Sequence, residues 1–118
     1  MDMQTEELDD GISRVKLDGR MDYAGATEID AKFMALAGRA KSVLVDMSKV
    51  EFLASMGIRT LIMAAKVLKA RGDRMILFNP QMIVAKVLQT SGTDILIPVY
   101  YDLTLACKAL RAARAPKK

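Results

Sequence analysis

The segment Val43-Leu44-Val45-Asp46-Met47-Ser48-Lys49-Val50-Glu51-Phe52-Leu53-Ala54-Ser55-Met56-Gly57 joins an apolar, β-branched run to the start of an amphipathic repeat. Ser42 to Met47 is too short for a helix and too uniformly apolar for a half-exposed strand, so it predicts a strand buried on both faces. Beyond it Ile58, Leu61, Ile62, Ala65 and Leu68 recur at helical spacing on one side, and Arg71-Gly72-Asp73 closes the helix. At about 100° per residue, Met56, Thr60, Met63 and Val67 form a second stripe. It is expected on the opposite, outward side, where methionines suit an adaptable partner surface.

Ser55 stands at the strand-to-helix junction, and two readings of it are open. Serine is a favoured N-cap, and a helix beginning near Met56 calls for one whatever the function. A hydroxyl at a helix N-terminus is also a suitable phosphoryl acceptor, because unpaired N–H groups and the positive end of the helix dipole accept the added charge.

On either side of this segment the elements alternate. The acidic first ten residues form a frayed or edge segment, Ile12 to Leu17 alternates as a strand, and Asp18-Gly19 reads as a turn. Ala24 to Ala37 is a helix capped at Gly38, and Met75 to Phe78 is a further strand. Asn79-Pro80 reads as a cap and first helical residue for a short helix through Val84, Val87 and Leu88 that ends near Gly92. Ile95 to Val99, interrupted by Pro98, is a short edge strand, and Asp102 caps a last helix through Leu103, Ala106 and Leu110. This order predicts an α/β fold, a mixed, mostly parallel β-sheet covered by about four α-helices, mainly on one side. One domain spans 1–110, and 111–118 is a basic C-terminal tail.

Composition narrows the chemistry. The 118 residues contain no histidine and one cysteine, Cys107, so the usual general base is missing and a disulfide or cysteine-rich metal site is excluded within the chain. Cys107 is expected to pack as a small apolar residue. Asp18, Asp22 and Asp46 read as solvated turn or cap residues, and no Gly-x-Gly-x-x-Gly or Gly-Lys-Ser/Thr phosphate loop is present. The net charge of +4 is concentrated in Lys108, Arg111, Arg114, Lys117 and Lys118, without aromatic residues interleaved for base stacking. No catalytic residue, cofactor or metal site is therefore assigned, and neither direct nucleic-acid binding nor membrane insertion is expected. The acidic N-terminus is unlike a signal peptide, so a cytoplasmic location is the default.

Three segments carry a resemblance. Leu17-Asp18-Gly19-Arg20-Met21-Asp22 is similar to a Leu-x-Gly-x-Leu-Asp pattern. Asp46 to Ile58 resembles Asp-Leu-Ser-x-Val-x-Phe-x-Asp-Ser-Ser/Thr-Gly-Leu. Asn79-Pro80, Ser91-Gly92 and Pro98-Val99-Tyr100 complete the set. In their order and spacing they resemble STAS domains of the anti-sigma factor antagonist family, from about Leu8 to Leu110. Ala54 stands where that pattern has Asp, and Met56 where it has Ser or Thr.

The resemblance implies a partner-switching regulator without catalysis of its own. A GHKL-type serine-kinase anti-sigma factor would phosphorylate Ser55, a PP2C-type phosphatase would reverse it, and the unphosphorylated form would bind the kinase and free the sigma factor. Asp22 corresponds to the family aspartate near the phosphorylation site, and Gly57 to the glycine that lets the helix start close to the sheet. Together with the outward stripe this gives a partner-binding set of Asp22, Ser55, Met56, Gly57, Arg59, Thr60, Met63 and Val67. The alternatives are a STAS scaffold or transport-complex subunit with constitutive binding through the same helix, and a nucleotide-binding protein.

Overall fold

The computed structural model describes residues 1–113. Five strands, β1 (Asp2–Glu7), β2 (Ile12–Met21), β3 (Ser42–Leu53), β4 (Arg74–Phe78) and β5 (Val99–Tyr100), form one sheet in the order β1-β2-β3-β4-β5. β1 runs antiparallel to β2, and every other pair is parallel. The helices are α1 (Tyr23–Arg39), α2 (Ser55–Ala70), α3 (Met82–Thr90), the single turn α4 (Thr93–Leu96) and α5 (Leu103–Ala113).

Strand order explains where the helices go. Each parallel crossover from β2 to β5 steps the same way across the sheet, and right-handed crossovers then place their helices on one face. Ile29 and Phe33 of α1, Leu61 and Leu68 of α2 and Val84 and Leu88 of α3 accordingly share one buried cluster with Val15, Val45 and Leu77 of the sheet. The opposite face presents Ile12, Leu44 and Ile76, and α5 covers them with Ala106 and Leu110. Ser42 to Met47 is buried throughout, as the apolar run predicts. Cys107 is half-buried against the α5 cluster.

Several local expectations are corrected. Asp18-Gly19 is no turn: β2 continues to Met21, and the pairing with β3 absorbs it as register shifts around Gly19, whose φ is +120°. α1 runs past Gly38 to Arg39, and Ala40, extended at ψ 152°, ends it by turning the chain toward β3. Asn79-Pro80 does not open α3, because Asn79 N–H is held by Tyr100 O at 2.8 Å, so the sheet still owns that residue. Gln81 becomes the N-cap instead, with its amide donating to Ser48 O at 2.9 Å. Gly92, left-handed at φ +77°, restarts a helical turn, which shortens the predicted Ile95–Val99 strand to Val99–Tyr100. Asp102 caps α5 as expected, accepting from Leu105 N–H at 2.9 Å.

Asp46 is likewise no solvated cap. It is 6% exposed inside β3. Its Oδ2 accepts from Arg14 of β2 at 2.6 Å, and its Oδ1 accepts from Ser48 N–H at 3.0 Å and Ser48 Oγ at 2.7 Å. The Arg14 guanidinium also lies 5.9 Å from the Phe78 ring centroid, so one carboxylate organises three neighbouring strands. In α5, Arg111 pairs with Asp10 at 3.5 Å, and 114–118, most of the expected basic tail, lie outside the described residues. Among the described residues no helix is long and apolar enough to cross a membrane.

Two predictions follow from these contacts. Burial pushes the Asp46 carboxyl up, but hydrogen bonds from Ser48 and Arg14 outweigh it and leave its pKa below the ordinary 3.8. A depressed folded pKa contributes stability above the unfolded value and loses it as pH falls through the folded one. The urea midpoint should therefore hold from neutral pH down to the ordinary carboxylate range and fall beneath it, and Asp46→Asn should remove Asp46's share of that acid-dependent fall. Gly25 in α1 gives the second: a Cβ there would sit 1.9 Å from Arg20 O, with no room for either backbone to yield. Gly25→Ala should cost at least about 3 kcal/mol in chemical denaturation, or prevent folding.

Candidate functional site at the ends of strands two and three

β2 and β3 pair in parallel and end together, with Met21 opposite Leu53. One residue further on, each chain turns into a helix: Asp22 is the N-cap of α1 and Ala54 the N-cap of α2. Ala54 N–H donates to Met21 O at 3.0 Å, extending the strand pairing one step past the strands. Two helix N-termini are thereby set side by side at the carboxyl rim of the sheet, where open α/β sheets commonly carry their sites.

Gly57 makes this closeness possible. A Cβ on it would lie 2.7 Å from Leu53 Cδ1, 2.8 Å from Met21 Cγ and 2.9 Å from Met21 O. The first turn of α2 thus rests directly on the strand ends. Asp22 Oδ1 accepts from Gly25 N–H at 2.8 Å, and Oδ2 pairs with Arg20 Nε at 3.5 Å. The Gly25 N–H bond, with Arg20, holds the Asp22 carboxyl below its usual range despite partial desolvation. It is therefore an anion at neutral pH.

Ser55 is the first residue of α2, not its cap. Its side chain is exposed, and among the described residues its hydroxyl has no hydrogen-bond partner. The capping position belongs to Ala54, whose methyl accepts nothing, so α2 begins without a side-chain cap. Its first N–H groups and the positive end of its dipole remain uncompensated by any carboxylate at that position.

The outward stripe needs correction. Thr60 is 1% exposed, with Oγ1 donating to Asp30 Oδ1 of α1 at 3.2 Å, and Gly57 is buried. Met56 and Val67 are half-buried against the main core. The two apolar stripes seen in the sequence are the two shoulders of one wide buried arc, centred on Gly57, Leu61, Ala64 and Leu68. One shoulder meets α1 and the other turns toward α4. Glycine and alanine at the arc's centre carry almost no hydropathic signal, so the centre was invisible. The solvent face is instead Ser55, Arg59, Met63 and Lys66, with Ile62 half-exposed at its edge. Of the expected set, Ser55 and Arg59 lie fully on this face, Met63 joins them at 44% exposure, and Asp22 lies beside them on the rim.

Other rim residues escaped the sequence. Tyr23, 71% exposed, follows Asp22 directly. The Arg20 guanidinium lies over the Phe52 ring at 4.4 Å from its centroid, a contact created by cross-strand register and hence unreadable along one strand. Exposed aromatic and arginine side chains of this kind are frequent anchors of protein interfaces.

Residues 4–106 match the STAS domain family model. A relative in Bordetella bronchiseptica, BtrV, provisionally named an anti-sigma factor antagonist, is 25% identical over 105 residues, 88% of this chain and 90% of its own. The anti-sigma factor antagonist SpoIIAA in its unphosphorylated form superposes with a TM-score of 0.77 at 23% identity, covering 94% of this chain and 97% of that one. Its phosphorylated form gives 0.69 at 22% identity, covering 92% and 99%. An anti-sigma factor antagonist from Mycobacterium paratuberculosis gives 0.81 at 26% identity, with 93% of each chain covered. With the family model spanning most of the sequence and the overall fold shared with these solved structures, the chain belongs to the STAS domain family.

Proposed function

We propose that the protein is an anti-sigma factor antagonist that works by partner switching, with Ser55 as the phosphoryl acceptor. The observation that carries this reading is the unpartnered, exposed Ser55 hydroxyl at the first position of α2, beside the Asp22 carboxylate. It has no structural duty to compete with modification. The names of the relatives support the class of function, and SpoIIAA, a structural neighbour, exists in both phosphorylated and unphosphorylated forms.

In this reading the unphosphorylated protein binds a GHKL-type serine-kinase anti-sigma factor through the solvent face of α2 and the adjoining rim. Met63 and the edge of Ile62 supply apolar area, while Arg59 and Asp22 supply charge. Phosphorylation of Ser55 brings about −1.5 to −2 charges to the middle of this contact. The new phosphate meets the uncapped N–H groups of α2 and lies one turn from Arg59, so it can draw that guanidinium away from a partner. It also repels acidic groups docked near Asp22. A penalty of only ~3 kcal/mol lowers affinity roughly 100-fold. A PP2C-type phosphatase restores the binding form. Ala54, in place of the family's aspartate, leaves one fewer negative charge beside the phosphate and removes a carboxylate that would compete for the α2 N-terminus.

Binding to the cognate anti-sigma factor, measured by calorimetry, tests the direction of the switch. Ser55→Ala should bind within a few-fold of the wild type and Ser55→Asp at least about 100-fold more weakly, with circular dichroism and melting unchanged. Wild-type affinity in Ser55→Asp would refute the proposal. Met63→Lys should weaken the same complex by about tenfold or more while altering stability by less than about 0.5 kcal/mol. A large loss of stability would instead place Met63 in the core.

A further inference from the structure

We infer that the groove between the C-terminal half of α2 and the α4 turn binds a single-chain anionic amphiphile, a carboxylate carried on an aliphatic tail. This groove lies further along α2 than the Ser55 rim and shares only Ile62 and Lys66 with the proposed partner face, and its occupancy does not depend on the function proposed for Ser55. The cavity measures about 530 Å³, within the range of small-ligand sites, and its walls are Ile62 and Ala65 of α2 facing Ile95, Leu96 and Pro98. Around these apolar walls stand Lys66, Lys69 and Arg74. The one acid lining the groove, Asp73, is already engaged by Arg71 at 3.4 Å. The groove therefore offers apolar surface and unbalanced positive charge together.

The α4 turn is built to present this surface. Left-handed Gly92 restarts the helix, and Ile97 is buried at 1% exposure and anchors the turn to the core. Between them Ile95 and Leu96 point outward at 86% and 65% exposure, although nothing in the sheet or core requires aliphatic residues there. Two adjacent exposed aliphatic side chains that share a groove with three cations suit a ligand carrying both an apolar tail and a negative charge. Lysine stems extend the apolar wall while their ammonium groups stay at its margin, matching a tail that ends in one negative head. No aromatic residue lines the groove and no glycine-rich loop opens into it, so a nucleotide would find neither a stacking surface nor a phosphate cradle. Ile62 lies about 10 Å along the helix from Ser55, so a short tail can fill the groove without reaching the rim.

Titration of the full-length protein with dodecanoate below its micellar concentration, followed by amide chemical shifts, tests this. Saturable shifts confined to Ile62, Lys66, Lys69 and residues 94–97 are expected, with uncharged dodecanol binding at least about tenfold more weakly. Leu96→Asp and Lys69→Glu should each weaken dodecanoate by about tenfold or more, Lys69→Arg should retain binding, and all should melt as the wild type does. Should Leu96→Asp fail to fold, exposed Lys69 carries the test alone. Shifts that never saturate or that scatter over the surface would overturn the inference, as would equal affinity for dodecanol. Binding to phosphatidylglycerol vesicles with none to monomeric dodecanoate would also overturn it, and would mark the patch as a membrane-docking surface.

Discussion

The site depends on one constraint, the common endpoint of two parallel strands. β2 and β3 finish opposite each other at Met21 and Leu53, and the Met21 O to Ala54 N–H bond at 3.0 Å carries their alignment into the turn that follows. Neither helix could start so close to the strand ends with a side chain at Gly25 or Gly57. The two glycines accept the lower helix propensity of their type in return for that approach. Once the strands are in register, the Asp22 and Ser55 backbones have little freedom to move apart. A surface set in this way is rigid before any partner arrives, which limits the ordering cost of binding.

Rigidity also limits the kind of switch proposed for the rim. The structure offers no hinge or loop around Ser55 whose rearrangement a phosphate must drive; the residue sits in the first turn of a 16-residue helix that packs on both α1 and the sheet. The change expected on modification is thus one of charge and hydration at a fixed position. Local electrostatics of this kind need only a small free-energy difference between two docked states. Asp22, held as an anion by Gly25 N–H and Arg20, keeps the field on the rim constant through neutral pH, so the added phosphate is the variable term.

The parts of this arrangement legible in the sequence were those written in local pattern. The buried run Ser42–Met47, the periodicity of α2, its closure at Arg71-Gly72-Asp73 and the Asp102 cap each stand in a few consecutive residues and recur in the structure. What misled was decided by other parts of the chain. Asp18-Gly19 has the composition of a turn, yet pairing with β3 keeps it in the strand. Asn79-Pro80 has the composition of a helix start, yet Tyr100 holds Asn79 in the sheet. The outward face of α2 was misplaced because Gly57 and Ala64, at the centre of its buried arc, have too little side chain to register as core. Thr60 looked like a surface residue until Asp30 of α1 supplied its partner. Ser55 was placed at the correct junction, but its freedom from capping became visible only when Ala54 proved to be the residue before the helix.

The proposed switch rests on the free Ser55 hydroxyl as the one position where a kinase writes the state of the protein. Phosphosite mapping by mass spectrometry, after reaction of the wild type and Ser55→Ala with ATP and a GHKL-type serine kinase that binds the protein, tests this. A single phosphoryl group on Ser55 of the wild type is expected, with none in the absence of the kinase and none on the variant. Modification at another residue, or a wild type left unmodified by a kinase that binds it, would contradict it.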